Sequence, residues 1–165
     1  MVPEIALPPE YRNTKAGREL YSEIEIHASP GRIWEILTVF PWYPEWNPFI
    51  RSIRGDLVVG GRITAELRPP GSAGMTIRPV LVKMDPPREF RWMGHLFISG
   101  LFNGKHVFEI HPAGTGRCRF VQREIFSSFL LPLFTQMLNG GTARGFTDMN
   151  AALKERAENT GPEIQ

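Results

Sequence analysis

An α+β fold, in which an antiparallel strand meander is closed by a long C-terminal helix, is predicted by three features of this 165-residue sequence. Between Glu23 and Pro48 a two-residue hydrophobic alternation gives way to a helical period and then to an aromatic, proline-bounded turn. Residues 49 to 126 break into short strand-like segments separated by turn chemistry. From about Ser128 the apolar residues recur at helical spacing.

Residues 1–18 carry Pro3, Pro8, Pro9 and Gly17 without a sustained period and are expected to form an extended N-terminal arm. In the strand that follows, Ile24, Ile26 and Ala28 share one face and Glu23, Glu25 and His27 the other. Ser29-Pro30 starts a helix. The serine oxygen can accept from a first-turn amide, and proline suits the first helical position because its missing N–H has no partner to lose. Ile33, Ile36, Leu37 and Phe40 then form one apolar stripe. Pro41-Trp42-Tyr43-Pro44-Glu45-Trp46-Asn47-Pro48 is too rich in proline for a long helix and too apolar for a solvated loop. It is expected to cover something apolar.

The punctuators Gly60-Gly61, Pro69-Pro70-Gly71, Asp85-Pro86-Pro87, Gly94 to Gly100 and Pro112 to Gly116 divide residues 49–126 into six expected strands with short connections, hence antiparallel. Parity sorts the side chains. Ile63, Ala65 and Leu67 share a face, as do Phe90 and Trp92, His106, Phe108 and Ile110, and finally Cys118, Phe120, Gln122, Glu124 and Phe126. Arg117, Arg119 and Arg123 take the opposite face. For Met75 to Met84 parity is undecided, because Pro79 implies a bulge or an edge.

The C-terminal helix is expected from about residue 129 to 158, with Phe146, Met149, Asn150, Leu153 and Ala157 on one side. Gly140-Gly141 and Gly145 each cost roughly 1 kcal/mol in a helix. Either a kink or a close backbone approach must account for them.

Composition removes several function classes. The 19 basic and 17 acidic residues leave a formal charge of +2, and no Lys/Arg run forms a stripe suited to nucleic acid. Lone Cys118 has no disulfide partner, no Cys/His cluster has metal-ligand spacing, and no apolar run suits a membrane span. The N-terminus lacks a signal-peptide pattern, so a cytoplasmic location is expected. No nucleophile-elbow, zincin or phosphate-loop string occurs.

Ala28-Ser29-Pro30 followed by Ile33-Trp34, the Trp46-Asn47-Pro48 turn, Asp85-Pro86-Pro87-Arg88 with Trp92, Gly104-Lys105-His106-Val107-Phe108, and the ending Gly145 to Leu153 together resemble the START-like (SRPBCC) superfamily, in its polyketide cyclase/dehydrase and lipid-transport group. The resemblance covers about residues 19–158. It implies a single domain over residues 19–160 with a helix-grip fold: a seven-stranded curved antiparallel sheet round the long helix, two short helices after the first strand, and a ligand cavity between sheet and helix. It implies no one activity, since members range from lipid carriers and hormone receptors to cyclases and chaperone activators.

His106 is the only histidine that parity puts among inner-face aromatics, where an imidazole can polarise a ligand carbonyl or shuttle a proton. A hydrogen-bonded wall residue is the plainer alternative. His106 and Glu124 are the candidate acid–base groups. The expected ligand-binding set adds Gln122, Arg144 and the aromatics Trp46, Phe90, Trp92, Phe102, Phe108 and Phe120. Taken singly, each aromatic reads more simply as core; taken as a set on a fold that leaves a hollow, they read as lining. Trp46 is also expected to gate one end of the cavity. The leading functional expectation is a soluble binder or carrier of a small hydrophobic, planar or lipid-like molecule, with no cofactor, metal, nucleic acid or integral membrane association. A cyclase/dehydratase-like enzyme and an outward-facing interaction protein are the alternatives.

Overall fold

The computed structural model describes residues 8–95, 103–127 and 141–159. Glu10–Thr14 (β1) turns back into Gly17–Ile26 (β2), which is followed by helix α1 (Pro30–Thr38), a 3-10 turn (Phe40–Trp42) and the single-turn helix α2 (Tyr43–Trp46). Strands β3 (Ile50–Arg54), β4 (Thr64–Leu67), β5 (Met75–Ile77), β6 (Val80–Asp85), β7 (Glu89–His95), β8 (Asn103–Pro112) and β9 (Cys118–Ser127) come next, and the helix described last is α3 (Gly141–Glu158). A six-stranded antiparallel sheet runs β1-β2-β9-β8-β7-β6 and a three-stranded one β3-β4-β5.

The α+β architecture with a C-terminal helix gripped by an antiparallel sheet is as expected, but the strand count is nine among the described residues rather than seven. Two causes account for the difference. First, residues 10–14 of the expected arm pair with β2, their hairpin closing at Gly17, whose φ of +133° suits glycine. Second, the stretch Met75 to Met84 splits at Pro79. Proline has no N–H to give a ladder, yet its carbonyl accepts from Ile63 N at 3.0 Å, and Leu81 bonds Gly60 and Gly61 at 2.8 and 2.9 Å. The two sheets are thereby joined along this seam. Gly94, expected in a turn, lies inside β7.

Local chemistry explains the first crossover. Ser29 Oγ accepts from Arg32 N at 3.2 Å, capping α1. Tyr43 Oη donates to the Leu37 carbonyl at 2.8 Å, tying α2 to the end of α1. Buried Asn47 folds its Oδ1 onto the amides of Phe49 and Ile50, at 2.9 and 2.8 Å, and so starts β3.

Helix α3 buries Phe146, Met149, Asn150, Leu153 and Ala157. For Gly141 and Gly145 the glycine question resolves as close approach; Gly140 and the rest of the helix expected over residues 129–140 lie outside the described residues. A Cβ on Gly145 would lie 2.3 Å from Phe49 Cδ2, and one on Gly141 3.0 Å from Pro69 Cβ. At its other end α3 is fastened to β2: Lys154 Nζ donates to the Glu25 carbonyl and to Glu158 Oε1, which also accepts the His27 amide, each at 2.7 Å. On the outer sheet face Arg123 bridges Glu19 on β2 and Glu109 on β8, at 3.1 and 2.5 Å.

Candidate functional site

Strand register arranges the inner-face residues in rows. Trp92, His106 and Glu124 form one row across β7, β8 and β9, and Gly94, Gly104 and Phe126 the next. Those two rows line a cavity of about 290 Å³. Its opposite wall comes from Phe49, Leu67, Met75 and Ile77, and its rim from the Pro69-Pro70-Gly71-Ser72 turn and from Gly141, Thr142 and Phe146 of α3. One row in the other direction, Phe90, Phe108 and Gln122, is packed core.

Parity therefore found the correct face but not the cavity's position along it. Of the expected ligand-binding residues, Trp92, His106 and Glu124 line the void. Phe90, Phe108 and Phe120 are buried in the core cluster and Gln122 beneath the wall, none of them lining it. Trp46, the expected gate, packs 5.1 Å from Tyr43 and lies outside the lining. Its indole belongs to the core because α2 is pinned over β3, away from the two lining rows. Arg144 is exposed on the solvent side of α3 and does not reach the cavity. Phe102 lies outside the described residues.

His106 is held on both sides. Its Nδ1 stands 2.7 Å from Glu124 Oε2, and its Nε2 lies 3.0 Å from Gln122 Nε2. The second amide proton of Gln122 points to Met149 Sδ, at 3.4 Å. With both amide protons so used, Gln122 donates to His106 Nε2, and the imidazole keeps its own proton on Nδ1, facing Glu124. The ring stacks on Phe108, centroids 4.3 Å apart, and meets Trp92 at 5.1 Å and Phe146 at 5.2 Å. Only the edge of this ring borders the void.

Glu124 is the carboxyl group presented to the cavity. A Cβ on Gly104 would sit 2.4 Å from Glu124 Oε1, so the missing side chain is what lets the carboxylate lie over β8. In the sequence Gly104 is one residue of a strand with no role of its own, because its place beside Gly94 and under Glu124 follows from register. A second buried polar chain runs alongside: Asn150 Nδ2 donates to Ser22 Oγ at 3.0 Å, and Ser22 Oγ to the Gln122 carbonyl at 3.3 Å. Among the described residues no group of His, Cys, Asp and Glu side chains is arranged to hold a metal ion, and no helix is long and apolar enough to cross a membrane.

The sequence model of the family described as polyketide cyclase / dehydrase and lipid transport matches residues 18–158. The chain belongs to this family. No curated protein matches it in sequence. Solved structures similar to this cyclase/dehydrase and lipid-transport member include protein Ms6760 from Mycobacterium smegmatis, with a TM-score of 0.71 at 18% identity over 94% of this chain and 100% of that one. A START superfamily protein from the same organism gives 0.64 at 19% identity over 85% and 97%. The Zhui aromatase/cyclase from a Streptomyces species gives 0.71 at 15% identity over 86% and 93%. At such identities the likeness is one of fold. It agrees with the helix-grip arrangement of this family member.

Proposed function

We propose that this family member binds or carries a small hydrophobic, planar or lipid-like molecule between its sheet and its C-terminal helix. The observation that carries the reading is the cavity itself: about 290 Å³, walled by Phe49, Leu67, Ile77, Trp92, Phe126 and Phe146, with the His106–Glu124 pair at one side and the Ser72 and Thr142 hydroxyls at the rim. That size is near the lower end of small-molecule sites, and an apolar wall with few polar groups is their usual composition. Residues 19–160 act in this reading as one binding domain. Native mass spectrometry and organic extraction of the purified protein test it. A co-purifying apolar molecule, or saturable uptake of an apolar fluorescent probe, is the expected result; neither ligand nor probe uptake would defeat the reading.

One observation favours a second reading, acid–base catalysis of the cyclase or dehydratase type. His106 and Glu124 border the same void, so a folded reactive chain held there would meet a carboxylate backed by an imidazole. The fold likeness to an aromatase/cyclase is compatible with it. Turnover of a poly-β-ketone thioester that disappears in Glu124→Gln, with probe binding retained, would establish this reading; equal product with and without the protein would end it.

A further inference from the structure

The cavity's charge pattern narrows its ligand, and the argument rests on the binding reading above. Among the described residues that line the void, His106 and Glu124 are the only ionisable side chains; no Lys or Arg joins them. Gln122 occupies His106 Nε2 and the Nδ1 proton faces Glu124 Oε2, so the imidazole has nothing left to offer a ligand. Glu124 Oε1 is different. It lies over Gly104, itself a lining residue, on the inner face of β8. Apart from the Ser72 and Thr142 hydroxyls at the rim, the polar side-chain feature a ligand meets is therefore a hydrogen-bond acceptor among apolar walls.

From this we infer that the cavity selects a neutral apolar molecule bearing a hydroxyl donor, and selects against carboxylate-bearing ligands such as free fatty acids. A hydroxyl supplies the proton that Oε1 lacks and makes a charge-assisted bond without bringing a second charge into the chamber. An anionic head would instead face the Glu124 carboxylate with no cation among the lining residues to offset it. An ammonium would find the acceptor but must shed its hydration on entry.

A matched set of bicyclic probes tests this on the full-length protein: 2-naphthol, 2-methoxynaphthalene and 2-naphthoate, with dissociation constants from displacement of a fluorescent apolar dye. The naphthol is expected to bind at least fivefold tighter than its methyl ether and at least tenfold tighter than the carboxylate. Glu124→Met should abolish the advantage of the naphthol over the ether. Gly104→Ala, which keeps the charge and moves the carboxylate, should reduce it, and thermal melts identify the folded variants. Naphthoate binding as tightly as naphthol, or a naphthol advantage that survives Glu124→Met, overturns the inference while leaving the binding reading intact. If no probe and no dye binds, both fall.

Discussion

His106 and Glu124 are direct cross-strand partners on β8 and β9, with Nδ1 and Oε2 2.7 Å apart at the cavity wall. Two lone pairs do not approach so closely without a proton between them. With Gln122 donating to the other ring nitrogen, the arrangement calls for the Nδ1–H tautomer. Nitrogen-15 correlation spectra of the imidazole should show a protonated Nδ1 and an unprotonated Nε2. A protonated Nε2 would reverse the Gln122 amide and the polarity of the whole chain.

Gly145→Ala sets two effects against each other. Helix propensity favours alanine by up to about 1 kcal/mol, but the new methyl would lie 2.3 Å from the ring of buried Phe49. Overpacking of that kind costs about 1–3 kcal/mol. The variant should be less stable in urea unfolding, and a gain in midpoint would show that Phe49 can give way.

Trp46→Ala should cost roughly 3–5 kcal/mol, because the indole is 9% exposed and packed against Tyr43. Probe affinity in the remaining folded fraction should be unchanged. A selective loss of affinity with little loss of melting temperature would restore the gate.

Asn47→Ala removes the acceptor of two buried amides, those of Phe49 and Ile50. Each donor left without a partner costs about 1–3 kcal/mol. Asn47→Asp keeps the acceptor and should recover part of the loss, as read from urea midpoints. Equal destabilisation by both variants would assign Asn47 a packing role only.

Two carboxyls give the fold an acid limit. Burial alone would raise the Glu89 carboxyl, but bonds from Arg91 and Lys83 hold it below its ordinary value of 4.5. Burial acts the same way on Glu158, where the His27 amide and Lys154 outweigh it. The folded state therefore binds these protons less readily than the unfolded chain. Their stabilisation is complete above the unfolded value and is lost as pH falls through the lower, folded ones. As pH falls below about 4.5 stability should decline, and Glu158→Gln should flatten that decline. An unchanged slope in the variant would remove Glu158 from the account.

What the sequence determined by itself is what depends on neighbours along the chain. Ser29-Pro30 fixes the start of α1 through a bond three residues long, and strand parity puts His106, Phe108, Gln122 and Glu124 on the inner face because successive side chains alternate. The helical period of Phe146, Met149 and Leu153 likewise predicts which side of α3 is buried. The tertiary structure decided what depends on register and on approach between distant segments. Parity gives Phe90 and Trp92 the same facing, yet of their two rows that of Trp92, His106 and Glu124 borders the void while that of Phe90, Phe108 and Gln122, two residues along each ladder, is packed core. The splitting of Met75 to Met84 between two sheets follows from where Pro79 meets Ile63. Gly104 is simply an absent side chain in the sequence, and Gly145 calls for a kink or a close approach without saying to what. Their partners are set only when Glu124 and Phe49, 20 and 96 positions away, are folded into the space they leave.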